Sequence, residues 1–303
     1  VVSLVFAWGI AGALAIATRA VPLEIDDAGV QELIALGRTA PERALAATEA
    51  TVVLVLVDAL FAVFVVLQVA YLFGGADTIT AAGVTYSDYA RAGYFQLVAV
   101  VVCAGVLLTV ASFAARSEGG RPRGFVVAAL GLLGLTAVIL ASAAVRLDLY
   151  QQAYGWTELR FYVAASIAWL GICGIVATAL LLRDRMGWLV HGLAMGAVAV
   201  TLAVSVLGPQ AFITQQNLAR VFDPSLVAPG GHTGLDAEYL VGLGDDAIPQ
   251  LNAALPGLDP ASQLVLGPAL HDRFVALVLN RADADWQAWN LSRENARFVL
   301  AHP

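Results

Sequence analysis

Lysine is missing from this chain of 303 residues: all 16 basic residues are arginine, which reflects composition rather than mechanism. Charge of either sign is scarce at 13% of residues, against about 25% in soluble domains. The net charge of −7 leaves no basic stripe to offset phosphates, so a nucleic-acid partner is not expected. Only two cysteines occur, Cys103 and Cys173, both inside apolar runs. That excludes a disulfide framework or thiolate metal site, and both read as small buried hydrophobes. No GxSxG, Walker loop, HExxH or CxxC is present, nor any convincing nucleophile–base pair. The expectation is a non-enzymatic protein without cofactor or metal.

What is abundant is apolar sequence: 60% of residues are hydrophobic, in long blocks. A helix crossing about 30 Å of hydrocarbon needs roughly 20 apolar residues. Six blocks qualify, near 1–20, 50–73, 93–115, 124–146, 161–182 and 188–207. Only a helix satisfies its backbone segment by segment in lipid, so the fold expected is all-α and polytopic, with six spans. The chain opens on Val1 within an apolar run, which suggests a processed or truncated start. No basic region precedes residues 1–20 and no A-x-A site closes them, so they read as a span rather than a signal peptide. Loops 21–49, 116–123 and 183–187 share one side and carry Arg38, Arg43, Arg116, Arg121, Arg123, Arg183 and Arg185. Loops 74–92 and 147–160 share the other side with the tail, and those loops offer only Arg91 and Arg160. The bias puts the first set in the cytoplasm and the tail outside a bacterial cytoplasmic membrane.

The tail changes character. Residues 1–207 read as the transmembrane domain, 208–234 as a linker ending in the Pro/Gly stretch "DPSLVAPGGHTG", and 235–303 as a small helical extracytoplasmic domain. Asp236 before AEYLVGL, Asp245-Asp246 before AIPQLNAAL and Asp259-Pro260 before ASQLVLG are helix-start signals. Trp286, Trp289, Ala296 and Val299 recur at helical spacing in 283–302. A domain of about 70 residues buries little surface alone, so its apolar stripe calls for cover from the membrane helices or a partner.

Two collars are heavily decorated. In "VTYSDYARAGYFQL", Thr85 and Asp88 fit a capping box, and Tyr86, Asp88, Tyr89 and Arg91 crowd the start of the third span. In "RLDLYQQAYGWTELRFY", Gly155 breaks one helix, Thr157 caps the next, and Glu158 sits in its first turn. Arg160 in that turn opposes the helix dipole, so it is expected to seek Asp148, Glu158 or Asp88. Tyr154 and its neighbours then settle at the interface as amphipathic aromatics. The main reading is interfacial anchoring with structural ion pairs; the alternative is a polar pocket for an ion, headgroup or peptide. Asp58, in "VLVLVDALFAVF", is the one carboxylate well inside a span and must face protein or water. His191 lacks a second histidine at ligand spacing, and His232, Asp236, Glu238 and Asp223 are too irregularly spaced for a metal. Gly192-x-x-x-Gly196 is a close-packing motif.

The stretches "YSDYARAGYFQL", "YGWTELRFY", "QQNLARV", "LDAEYLVGLGDDAIPQL" and "DWQAWNLSRENA" resemble a bacterial membrane family catalogued as domain of unknown function four-one-seven-three, from about residue 50 onward. The family's fuller N-x-D-x-x-I-A-x-x-N pattern is absent around "QQNLAR". The resemblance implies a polytopic membrane protein with no assigned activity and no catalytic residues to carry over. The function expected is an accessory, scaffold or sensory subunit, with membrane lipids and other membrane subunits as partners. The alternative is a small proton- or cation-coupled transporter or channel using Asp58.

Overall fold

The computed structural model describes residues 40–73, 86–115, 120–228, 230–279 and 290–302, with backbone alone for 40–46, 68–73 and 86–98. Every regular element among them is helical. In chain order they are α1 (Ala40–Phe73), α2 (Tyr86–Ala114), α3 (Arg123–Tyr154), α4 (Glu158–Leu182) and α5 (Leu189–Leu207), the last preceded by a 3-10 turn at Met186–Trp188. Then follow α6 (Pro209–Phe222), α7 (Ala237–Val241), α8 (Ile248–Ala254), α9 (Pro260–Phe274) with a π turn at Val275–Leu279, and α10 (Leu291–Ala301). Among the described residues, four stretches are long and apolar enough to cross a bilayer: Ala47–Leu67, Arg123–Tyr154, Glu158–Leu182 and Met186–Leu207. Ala99–Ala114 of α2 is a shorter apolar run, and the span expected at 1–20 lies outside the described residues. The protein is a multi-pass, all-helical membrane protein.

Four threonine hydroxyls on the long helices are satisfied locally. The hydroxyls of Thr51, Thr109, Thr136 and Thr178 each donate to the carbonyl four residues earlier, at 2.7–2.8 Å. Lipid offers no alternative acceptor, so the helix supplies one itself. Cys103 and Cys173 are free thiols. Cys103 is exposed on α2 rather than buried by protein, because in a bilayer the lipid covers that face.

The chain divides into two compact units, Val1–Arg146 with Ser166–Thr201, and Leu147–Ala165 with Leu202–Pro303. The first unit holds a core of Leu54 and Phe61 on α1, Ala104, Leu108 and Ala111 on α2, and Phe125, Ala129, Leu132 and Ile139 on α3. The frequent alanines let helix backbones approach closely where lipid gives no hydrophobic drive. The Gly192/Gly196 pair serves the same end. A Cβ on Gly192 would meet Val176 Cγ1 at 2.7 Å, and one on Gly196 would meet Ile172 Cγ2 at 3.4 Å, so α5 lies tight on α4. Gly192→Leu is expected to destabilise this pair by about 1–3 kcal/mol through overpacking, read as a lower denaturation midpoint in detergent; an unchanged midpoint contradicts the close approach. Arg121 and Asp184 form an ion pair, and Arg121 Nε and Nη2 donate to Ser112 O at 3.2 and 3.1 Å. That bond joins loops 116–123 and 183–187, which the span count put on one side.

The second unit has its own core: Phe161 from the start of α4, Ile213 and Leu218 from α6, Leu240, Ile248, Leu251, Leu266, Leu270, Ala296 and Leu300. Compactness therefore groups residues differently from a boundary at 207/208. The stretch read as a linker contains α6, which begins with Pro209 at its first turn and buries Ile213, Thr214 and Leu218 on one face. Asp236 caps α7 through Tyr239 N at 3.0 Å, and Gly242 ends that helix. Trp286 and Trp289 lie outside the described residues, and the last helix starts only after Asn290, whose side chain accepts from Ser292 N at 2.8 Å. Asp245 holds both Arg273 and Arg293, the latter at 3.3 Å, tying the start of α8 to α9 and α10.

Asp259 caps α9, accepting from Ser262 Oγ at 2.6 Å and from Ala261 N and Ser262 N at 3.1 Å each. The Ser262 hydroxyl above all, then the amides, holds this carboxyl below its ordinary 3.8. A depressed folded pKa means the cap's contribution is complete above the unfolded value and is lost as pH falls through the folded one. Asp259→Asn keeps a capping oxygen without the titration. Acid-denaturation curves of the two proteins are expected to diverge only below about pH 4; superimposable acid limbs contradict the assignment.

Candidate functional site

Helix α3 runs for 32 residues, about 48 Å at 1.5 Å per residue, longer than the roughly 30 Å hydrocarbon layer. Its last two turns, from Leu147, belong to the second unit. A helix end leaves carbonyls without partners, and here those carbonyls organise the site. Gly155, at φ +77°, turns the chain left-handed, and its N–H donates to Gln151 O at 2.8 Å. Gln152 O accepts from Ala228 N at 3.2 Å and from Arg220 Nη2 at 3.0 Å. Ala153 O accepts from His232 N at 2.8 Å. Tyr154 O accepts from Arg160 Nη1 at 3.1 Å, and Gly155 O accepts from the same nitrogen.

Arg160 therefore departs from expectation. Its guanidinium caps the α3 carbonyls and stacks over Tyr150 at 4.1 Å, instead of pairing with Asp148 or Glu158. The negative end of the α3 dipole, one tight turn away, is a nearer partner than either acid. Asp148 accepts from Gln152 Nε2 at 2.8 Å, and Glu158 from Gln210 Nε2 at 3.4 Å. Thr157 caps α4 as its spacing predicts, accepting from Arg160 N at 3.4 Å. Tyr154 is exposed and lies 5.1 Å from Tyr150, ring to ring. Of the other collar, Tyr86, Asp88, Tyr89 and Arg91 fall on the first turns of α2, and their side chains lie outside the described residues.

Asn217 and Arg220, inside the quoted "QQNLARV", are the residues that sequence reasoning left unassigned. Asn217 Nδ2 donates to Trp156 O at 2.9 Å while its Oδ1 accepts from Trp156 N at 2.8 Å. One amide thus pairs both backbone groups of the residue between two helices. Trp156 then sits edge-on to Phe212 at 4.9 Å, and Phe161 lies 5.6 Å from Phe212. Glu158 N donates to the Tyr239 hydroxyl at 2.7 Å, and burial pushes that phenol's pKa up. A cavity of about 200 Å³ opens beside this turn, walled by Trp156, Thr157, Arg220, His232, Thr233 and Tyr239 among others. Burial first, then the charge of Arg160, pull the Arg220 pKa below its ordinary value, and it stays a cation.

Asp58, on α1, faces the small Gly131 of α3: a Cβ there would lie 3.0 Å from Asp58 Oδ2. Asp58 Oδ1 is buried without a hydrogen-bond partner among the described residues. His191 is exposed and lies 5.3 Å from the Trp188 ring. Asp223 accepts from Ser225 in a local turn, so of the four tail residues weighed for a metal only His232 and Asp236 meet, both at the cavity.

Residues 1–254 match the family described as Domain of unknown function (DUF4153). Its number is 4153, where the sequence resemblance pointed to 4173. No curated protein and no solved structure matches the chain.

Proposed function

We propose, from the premise that this chain belongs to the family described as Domain of unknown function (DUF4153), that it is a non-enzymatic accessory or sensory subunit of a membrane complex. The observation that carries this reading is the joint core of the second unit. Phe161, at the head of the membrane-crossing α4, is buried among α6 and the tail helices, so a partner on the tail acts directly on the start of a span. The cavity's reactive groups are engaged in structure: Asp236 caps α7, and Tyr239 and Asn217 hold the 155–158 turn. The arginine bias supports a cytoplasmic position for loops 116–123 and 183–187, and an extracytoplasmic one for the second unit in the cell membrane. Membrane lipids and other membrane subunits are the partners, and the composition supports neither a nucleic acid nor a cofactor.

Gentle detergent extraction followed by mass spectrometry of co-purifying proteins tests this. A partner of fixed stoichiometry is expected; a solitary monomer contradicts the subunit reading. A second reading, proton- or cation-coupled transport through Asp58, is favoured by one observation: its buried, unpartnered Oδ1 against Gly131. A carboxylate so placed inside a span is costly and marks ion pathways in other membrane proteins. Proteoliposomes in which Asp58→Asn abolishes a cation flux carried by the wild type establish it; the absence of any such flux in the wild type removes it.

A further inference from the structure

The Arg220 guanidinium lines the cavity beside the α3–α4 turn. Arg160 and Arg220 both donate to neutral carbonyls, and neither pairs with a carboxylate among the described residues. Arg220 Nη2 bonds Gln152 O and His232 O at 3.0 and 3.2 Å, which fixes the plane of its fork against the cavity wall. Thr157, Thr233 and His232 line the same space. Its volume of about 200 Å³ is below the roughly 300–1,000 Å³ of sites for drug-sized ligands. That size suits a single headgroup. The site also lies at the link between two helices long and apolar enough to cross a membrane, since Tyr154 ends one and Glu158 begins the next.

We propose that this cavity binds a phosphate group, presented by the headgroup of an anionic phospholipid, with Arg220 as its principal donor and Thr157, Thr233 and His232 completing the contacts. A planar, oriented guanidinium matches phosphate oxygens in a way a point charge does not. Asp236 also lines the cavity, and its carboxylate, which accepts from Tyr239 N, disfavours a ligand of larger negative charge. The proposal rests on the second unit being a recognition module and names what that module recognises; the subunit reading survives its failure, since co-purification is measured separately.

The test uses the full chain in a neutral glycoside detergent at fixed ionic strength, titrated with dihexanoyl phosphatidylglycerol or with inorganic phosphate. A saturable rise in the thermal midpoint with the lipid is expected, weakened at least about tenfold in Arg220→Gln, since hydrogen bonds to charged groups are each worth that much. Arg183→Gln, in the loop beyond α4, keeps wild-type binding. Saturation by inorganic phosphate as well shows that the phosphate group alone is read; response to the lipid only shows that the headgroup is the source. If Arg220→Gln does not fold, Thr233→Asp, at an exposed position, places a second carboxylate in the cavity and abolishes the response. No saturable response in the wild type, or equal responses in the wild type and these variants, overturns the proposal.

Discussion

Gly155→Ala is expected to be the most damaging conservative change in the second unit, costing about 3 kcal/mol. Two effects add. The residue sits at φ +77°, where an L side chain costs about 1–2 kcal/mol. A Cβ there would also lie 2.6 Å from Asn217 Oδ1 and closer still to the Arg220 guanidinium. Neither neighbour yields cheaply, because Asn217 is held by both backbone groups of Trp156 and Arg220 by two carbonyls. The damage therefore spreads from one methyl group to the cap of α3 and to the cavity wall. Denaturation in detergent measures it, with Gly124→Ala as the control, since a Cβ there meets only Thr51 Cγ2 at an ordinary 3.8 Å. Equal stability of the two variants refutes the crowded-turn description.

Asn217→Leu is the second large effect, at about 2–4 kcal/mol. Leucine keeps the volume but leaves Trp156 N–H and C=O unpaired in a half-buried turn, and each such orphan costs about 1–3 kcal/mol. Trp156 then loses its register against Phe212 and Phe161, so intrinsic tryptophan fluorescence and near-ultraviolet dichroism report the change alongside stability. Helices α1 and α2 lie in the other unit, so the expected outcome is a loosened second unit within an otherwise inserted protein. A variant that unfolds throughout, or not at all, contradicts the division into two units.

The helices and their breaks were largely legible in the sequence, because each signal is local. Gly155 and Thr157 mark one end and one start, Asp236 and Asp259 announce caps, and the Gly192/Gly196 spacing announces a close crossing; the structure has each of these. Hydropathy placed four of the six expected spans among the described residues but not the full length of α3, whose polar end from Asp148 to Gln152 continues as helix beyond the apolar block. The site was less legible because it is made by long-range bonds. Asn217 is 61 residues from the backbone it pairs with, and Tyr239 is 81 from Glu158 N. No spacing rule reports such distances. Arg160 illustrates the same limit: charge rules pointed to nearby acids, whereas the acceptors within reach were backbone carbonyls freed by the end of a helix. A signal was present in α6, where Asn217 and Arg220 share a short amphipathic helix that hydropathy passes over as linker.

The account depends on the α3–α4 turn and the tail helices forming one body on a single face of the membrane. Single cysteines at Tyr154, Phe298 and Arg183, all exposed positions, introduced into a chain with Cys103→Ala and Cys173→Ala, test this in intact cells with a membrane-impermeant thiol reagent. The account predicts that 154 and 298 label together from outside while 183 labels only after the membrane is opened. Labelling of 154 and 298 from opposite faces would contradict it.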